Sequence, residues 1–427
     1  TWAGGGRPPT EGNSVEVYID GASALPAMAA AVRVARSTVH IAGWTFSPSF
    51  IMDRTGAATS LRALLAEAAE RVDVRVLSWA GAPVPLFHPT RSEARQSLHE
   101  LVAGTRISGA LDSRNRPMHC HHEKVLIVDG RVAFVGGIDL TDRSGDRFDS
   151  APHPSRPRLG WHDVAALVEG PAVADVGAHF AMRWWETTGE RLAAAPTHHA
   201  AGATSVQVVR TVPEHTYRSL PDGEFTILEA YVGALRSARR LIYVENQFLW
   251  SAEIVALLRQ KLSRPPTDEF RVAIILPMQP NNGSEDTQGQ LGVLRDADRH
   301  NRLLVGTVGP ERTDGVSVYV HAKVAVVDDR WITVGSANLN EHSLFNDTEM
   351  NIVSDSRSLA RSVRERLWSE HLAEDCTDRD PLEVLETQWR PLLESGATSR
   401  VPLRRLPSRS RRVTRFFGPL NGLLVDG

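Results

Sequence analysis

His122-Glu123-Lys124-Val125-Leu126-Ile127-Val128-Asp129 and His321-Ala322-Lys323-Val324-Ala325-Val326-Val327-Asp328 read alike, and they start 199 residues apart. Each has the form H-x-K-x-x-x-x-D. The four apolar, mostly β-branched residues after each lysine predict a buried strand. A histidine and a lysine two residues apart fall on one face of an extended chain. A glycine turn and a polar residue follow each octad, Gly136-Gly137-Ile138-Asp139 and Gly335-Ser336-Ala337-Asn338, at the same offset of 199.

Outward from the octads the chain alternates apolar strands with amphipathic helices. Strands are expected at 38–42, 72–78, 125–128, 133–135 and 164–168, and helices at 26–36, 61–72 and 91–103. The last helix carries a capping box, Thr90 with Glu93, and Gly104 just beyond its end. The second half repeats the pattern. Ala31, Arg33, Ala35 and Arg36 match Ala234, Arg236, Ala238 and Arg239, each group preceding a strand, and 74–77 has its counterpart in 272–276. A period near 200 residues is a duplicated domain rather than a solenoid. The expected fold is therefore α/β. Two tandem lobes, 1–200 and 201–427, would each hold a mixed sheet flanked by helices, related by a pseudo-twofold with the site at their interface. The seam is expected in the Ala-rich stretch 192–205, which contains Pro196 and Gly202.

Composition narrows the partners. The chain has 427 residues, 42% hydrophobic and 23% charged, which excludes disordered and fibrous classes. A net charge of −3 argues against a free-standing nucleic-acid binder. No apolar run approaches the roughly 18 residues of a membrane span. Only three of the 48 basic residues are lysines, Lys124, Lys261 and Lys323, and two of these are the octad lysines. In so Arg-rich a chain, Lys persists where a compact point charge is wanted rather than a planar fork. Lys261 reads as a surface or helix-C-terminal residue. Cys120 and Cys376 could form one bridge or none.

Two imidazoles and two ammoniums around one point suit a phosphodiester. The lysines would neutralise non-bridging oxygens while one histidine attacks phosphorus and the other protonates the leaving oxygen. The glycine turns, Ser336 and Asn338 would bring donors to the phosphate. Asp163, in Trp161-His162-Asp163, matches Glu349, in Thr348-Glu349-Met350, and a carboxylate on each Nδ1 would fix the histidine tautomer.

These residues resemble the phospholipase D superfamily, whose members carry two such motifs. The resemblance covers most of the chain and is nearest the eukaryotic-type branch. It is carried by Ile41-Ala42-Gly43-Trp44, His121-His122-Glu123-Lys124, Gly136-Gly137-Ile138-Asp139-Leu140 and Trp161-His162-Asp163. In the second half it is carried by Tyr243-Val244-Glu245-Asn246-Gln247-Phe248, Tyr319-Val320-His321-Ala322-Lys323 and Gly335-Ser336-Ala337-Asn338. It implies a phosphohistidine intermediate with no metal and no cofactor. His122 would be the nucleophile and His321 the general acid and then base, with Lys124, Lys323, Asp163 and Glu349 completing the catalytic set. Gly137, Asp139, Gln247, Ser336 and Asn338 would bind substrate, and Asp129 and Asp328 would be structural. The implied reaction is cleavage of the distal phosphodiester of a glycerophospholipid, phosphatidylcholine-like, to phosphatidic acid and an alcohol, or transfer of the phosphatidyl group to another alcohol.

The implied partners are phospholipid at a membrane or micelle surface and water or an alcohol acceptor, with no nucleic acid, in a monomer. The resemblance begins near Ser14, so calcium-dependent docking through an N-terminal C2 domain is not expected of this chain. Its Arg-rich, Lys-poor usage suggests a high-GC bacterium, whose enzymes of this size look secreted; a chain beginning at Thr1 fits removal of a leader. The competing readings in the same superfamily are a cardiolipin-type synthase and a phosphodiesterase nuclease, and a non-catalytic lipid-binding scaffold is the other class.

Several features stand outside this constellation. His119-Cys120-His121-His122 lacks zinc spacing. The loops 141–159 and 277–292 read equally as rims of the cleft or as plain surface loops. Trp44, Phe46, Trp79, Phe87, Phe248 and Trp250 follow strand ends and read first as core, and second as a cleft mouth that holds acyl chains or cages a quaternary ammonium. The arginines Arg404, Arg405, Arg409, Arg411, Arg412 and Arg415, before Phe416-Phe417, form a tail that either meets anionic headgroups or closes over its own lobe.

Overall fold

The structure, a computed structural model, describes residues 2–54, 58–84, 87–115, 119–143, 145–148, 160–193, 199–281, 283–309, 318–395 and 401–406. The octad strands form as the apolar runs require. In Val125–Val128 and Val324–Val327 every residue is buried, and successive side chains enter the cores on opposite faces of the sheet.

These strands belong to one continuous mixed sheet. From the centre, Thr10–Ile19 leads outward to Val164–Glu169, Val132–Gly136, Val125–Val128, Thr38–Gly43, Asp73–Trp79 and Ser108–Asp112. On the other side Thr204–Val212 leads to Glu349–Ser354, Trp331–Gly335, Val324–Val327, Leu241–Glu245, Arg271–Ile275 and Leu303–Val308. The order is the same, strand for strand. In each half the octad strand forms a hairpin with its successor and pairs antiparallel with the strand on its other side; the strands beyond that are parallel. The halves join where Thr10–Ile19 pairs antiparallel with Thr204–Val212.

Helices cover both faces. Val173–Thr188 and Arg357–Leu372 pack on one face in a core shared by the two halves. On the other face the first half is covered by Gly21–Arg33 and Leu61–Ala69, the second by Thr226–Ser237, Ala252–Ser263 and Ser284–Ala297. The helix Arg91–Val102 has the expected capping box: Thr90 Oγ1 accepts from Glu93 N at 3.2 Å and Glu93 Oε2 from Thr90 N at 2.6 Å. Asp129 and Asp328 sit at left-handed φ values of 54° and 53° at the hairpin turns. Each carboxylate accepts backbone N–H groups at the start of the adjacent strand, from Arg36, Ser37 and Thr38 or from Arg239, Arg240 and Leu241. They are turn anchors in both halves.

Two sequence expectations need correction. The first helix begins at Gly21, not residue 26, and Pro26 lies inside it. Buried Ala24 and Leu25 give the earlier turn a packing gain that outweighs the hydrogen bond proline cannot make. The segment 277–292 is not all loop, because Ser284–Ala297 is a helix. Its apolar stripe, Leu291, Leu294 and Ala297, lies at and beyond the end of that window, and its polar first turns hid the period.

The edge strand Leu403–Arg405 pairs with Leu303–Val308, so Arg404 and Arg405 lie against their own half; Arg409, Arg411, Arg412, Arg415 and Phe416-Phe417 fall outside the described residues. Residues 144 and 149–159 of the loop 141–159, and 194–198 of the seam, also fall outside them. Trp44, Phe46, Trp79, Phe248 and Trp250 are buried and Phe87 is half-buried. Lys261 Nζ donates to Arg236 O and Ala238 O, both at 2.7 Å, capping the end of a neighbouring helix. Cys120 and Cys376 are both buried and are not bonded to each other.

Candidate functional site

The two octads present their histidines to one another at the junction of the halves. The rings of His122 and His321 lie 6.5 Å apart, centroid to centroid, at 71°. The chain entering each octad is held by the opposite half. His122 N and Glu123 N donate to Thr348 O at 2.9 and 3.1 Å, and His321 N and Ala322 N donate to His162 O at 2.8 and 3.1 Å. The short strand Gly160–His162 runs parallel to Val318–Val320, making the second of these contacts a small sheet between halves.

The carboxylates are exchanged in the same way. His122 Nδ1 meets Glu349 Oε1 at 2.9 Å, and His321 Nδ1 meets Asp163 Oδ2 at 2.7 Å. Each histidine is thus oriented by a carboxylate from the other half, with Nε2 left as the reactive nitrogen. Glu349 also accepts from the hydroxyls of Ser336 and Ser343. Asp163 accepts the N–H of Val164 at 2.8 Å.

The lysines complete the centre. Lys124 Nζ donates to His122 O at 2.6 Å and lies 3.4 Å from Asp139 Oδ1. Lys323 Nζ donates to His321 O at 2.5 Å and to Gln247 Oε1 at 3.2 Å. Asn338 Nδ2 reaches the same Gln247 oxygen at 3.2 Å, and Gln247 Nε2 donates to the Tyr319 hydroxyl. All these side chains are buried.

Gly137 has a steric rather than a donor role in this geometry, because a Cβ there would fall 2.2 Å from Asp163 Oδ1. Ser336, its counterpart at the 199 offset, commits its hydroxyl to Glu349 rather than pointing it at a phosphate. Asp139 faces Lys124, and Asn338 and Gln247 face Lys323, so every expected site residue lies within one connected set.

Electrostatics differ between the two sides. Burial pushes the Asp163 carboxyl up to about 7, against the pull of Lys323. Burial also draws the Lys323 ammonium down to about 7, with Asp163 opposing and Lys124 reinforcing. His321 falls well below the usual imidazole range, first through burial and then through the cations Lys323, Arg147 and Lys124. Burial thus disfavours charge on all three groups, and the neighbouring cations depress His321 further.

Sequence reading missed several participants. Arg147 stacks its guanidinium over Trp161 at 3.1 Å, and Trp161 packs on His321 at 4.5 Å. Its loop has no repeat in the second half, so the offset gave no signal. Behind Asp163, the His162 imidazole bridges Asp20 at 2.8 Å and Glu245 at 2.7 Å, and His371 reaches Glu245 at 2.8 Å. Burial disfavours the charge on His162, but the two flanking carboxylates outweigh it and raise its pKa well above the ordinary value. Behind the first octad, Glu123 is held by His179 and Arg183, and Arg183 by Asp112. His119-Cys120-His121-His122 do not converge on one point: Cys120 packs with Trp44 and Trp79, His121 meets Thr348 and His122 meets Glu349.

Residues 231–370 match the family model described as cardiolipin synthase, PLD-like domain. The chain is 26% identical to phospholipase D A of Dictyostelium discoideum over 84% of its own length and 35% of the relative's. It is 25% identical to phospholipase D1 of Schizosaccharomyces pombe (88% and 37%) and 24% identical to phospholipase D2 of Bos taurus (83% and 51%). It therefore spans about a third to a half of these relatives. In fold it is similar to the crystal structure of phosphatidylserine synthase from Haemophilus influenzae, with a TM-score of 0.61, 12% identity, and coverage of 96% of this chain and 94% of that one.

Proposed function

The chain belongs to the phospholipase D superfamily, and on that premise we propose that it is a phospholipase D acting on glycerophospholipids through a phosphohistidine. The observation that carries this reading is the pair of facing histidines, each with Nδ1 on a carboxylate of the opposite half and each beside a lysine. His122 Nε2 attacks phosphorus, the bond from phosphorus to the head-group oxygen breaks, and His321 gives that oxygen its proton. Water or an alcohol then attacks the phosphorus and its proton passes to His321. The phosphorus–nitrogen bond breaks, which returns His122 and releases phosphatidic acid or a new phosphatidyl ester.

Lys124 and Lys323 neutralise the non-bridging oxygens, where charge grows in the transition state. Binding of the anion also offsets the cations that depress His321, so its protonation accompanies substrate binding. Asp139, Gln247 and Asn338 position the lysines, and Gly137 and Ser336 set the two carboxylates.

A second reading is a phosphatidyltransferase that passes the phosphatidyl group to an alcohol in preference to water. It is favoured by the cardiolipin synthase description of the model matching 231–370. One screen separates the two: phospholipid classes incubated with and without added alcohol, products read by mass spectrometry. Phosphatidic acid as the main product supports the lipase; turnover only with alcohol supports the transferase. Undiminished choline release from phosphatidylcholine by His122→Ala or His321→Ala would sink both.

A further inference from the structure

Beside the catalytic centre, a second group of side chains from both halves converges on one point. His119 enters from the first half, and His342 and Asp347 from the second. The Nδ1 atoms of His119 and His342 are 3.2 Å apart, and His119 Nδ1 is 3.6 Å from Asp347 Oδ1. All three atoms lie within 4.8 Å of one another. Zinc–nitrogen and zinc–oxygen bonds of about 2.0–2.2 Å in a tetrahedron place neighbouring ligand atoms roughly 3.3–3.6 Å apart. The two measured separations are close to edges of such a tetrahedron.

The backbone is shaped to make this meeting. His342–Asn346 is a π-helical turn, and Asp347 N donates to His342 O at 2.8 Å, a bond spanning five residues. That widened turn sets residues 342 and 347 side by side, and such turns recur at functional sites. Trp250 stands at 84° to the His342 ring at 5.6 Å.

Hydrogen bonding alone leaves the cluster incomplete. Asp347 is fully buried; its Oδ1 accepts from Cys120 N at 2.7 Å, while Oδ2 has no hydrogen-bond partner among the described residues. Two imidazole nitrogens facing each other can share only one proton, and the contact from His119 Nδ1 to Asp347 Oδ1 is long at 3.6 Å. A buried carboxylate oxygen without a partner, beside two imidazoles, is a place a cation would fill.

We propose that His119, His342 and Asp347 form a site for a divalent transition-metal ion of the zinc class, clamping the two halves together next to the catalytic centre. Two imidazoles and one carboxylate are a donor set such ions favour. His119 keeps 18% of its side chain exposed, which gives the ion a way in and leaves a fourth position for water. The clamp lies close to the chemistry: Thr348, which accepts the His122 backbone N–H, and Glu349, which orients the His122 ring, directly follow Asp347.

The test uses the full chain, stripped with chelator and titrated with Co2+ alone, then with Zn2+. The expected result is one Co2+ per chain with the visible bands of a four-coordinate ion, bleached by Zn2+, and a higher thermal midpoint with either metal. His119→Asn should weaken binding by at least about tenfold and abolish the rise in midpoint. Asp347→Asn should do the same; if that variant fails to fold, His119→Asn, at a position only partly buried, keeps the test intact. His122→Ala should leave the bands unchanged. The proposal is overturned by bands that survive in His119→Asn, by bands lost in His122→Ala, which would place the ion on the catalytic histidines, or by failure of the stripped chain to bind either metal.

Discussion

The two half-sites share a backbone plan and differ in what supports it. Each places a histidine and a lysine at the head of an octad strand, and each borrows its orienting carboxylate from the other half. On the His122 side that carboxylate is Glu349, tied by the hydroxyls of Ser336 and Ser343. On the His321 side it is Asp163, shorter, with Gly137 where the first case has Ser336, and with Lys323, Arg147 and Trp161 crowding the imidazole. The buried polar groups behind them differ too. Glu123 with Arg183 and His179 backs the first octad, while Ala322 stands at the matching place in the second, and the Asp20–His162–Glu245–His371 chain lies behind Asp163. Duplication thus fixes where the groups stand, and their neighbours divide the labour. A histidine on a firmly tied carboxylate suits an attacking nitrogen. One whose proton affinity depends on an incoming anion suits an acid that becomes a base.

The largest expected effect breaks that comparison outright. His122→Ala and His321→Ala should each lose about 10⁴–10⁶-fold on a natural phospholipid. With a p-nitrophenol leaving group, which needs no proton, His321→Ala should recover most of the first-turnover burst of p-nitrophenol, though not steady turnover, and His122→Ala none. Equal recovery in both would end the division of roles.

The carboxylates come next. Glu349→Gln and Asp163→Asn should lower kcat by about 10³–10⁴-fold, because an amide can present the wrong group to Nδ1 and reverse the tautomer. A change below tenfold in either would remove that carboxylate from the mechanism.

Smaller effects sharpen the contrast at one matching position. Ser336→Ala removes one of two hydroxyls on Glu349 and should cost about tenfold in kcat, near the 1.5 kcal/mol of a hydrogen bond to a charged group. Gly137→Ala drives a methyl group into Asp163 and should lower stability by about 1–3 kcal/mol in thermal or urea unfolding as well as lowering kcat. Full stability and rate in Gly137→Ala would show that Asp163 is free to move.

The smallest is a shift in pH dependence. His321 must carry a proton to act as acid, so activity falls as pH rises through its pKa. That pKa is depressed in the free site and rises once the phosphate is bound. The alkaline limb of kcat should therefore lie at higher pH than that of kcat/KM; the reverse order would contradict the linkage.

Much of this was legible in the sequence because it was written twice. The octads and the glycine turns follow from one offset of 199, and Asp163 matches Glu349, 186 residues on, by its place after the turn. Which half donates each carboxylate was not legible, since crossing the junction is a tertiary event with no local signal. Nor was Arg147, whose loop is not repeated, or the meeting of His119 with His342, 223 residues away. The helix Ser284–Ala297 escaped because its apolar stripe comes late, and the early start at Gly21 because burial overrode the usual place of proline.

The central claim is that His122 carries the phosphatidyl group between the two steps. Rapid mixing with phospholipid, an alkaline quench that preserves phosphohistidine, and peptide mapping by mass spectrometry read this directly. The account predicts a phosphatidyl adduct on the peptide bearing His122, formed within one turnover and absent from His122→Ala. An adduct on His321, or turnover with none on either histidine, would contradict it.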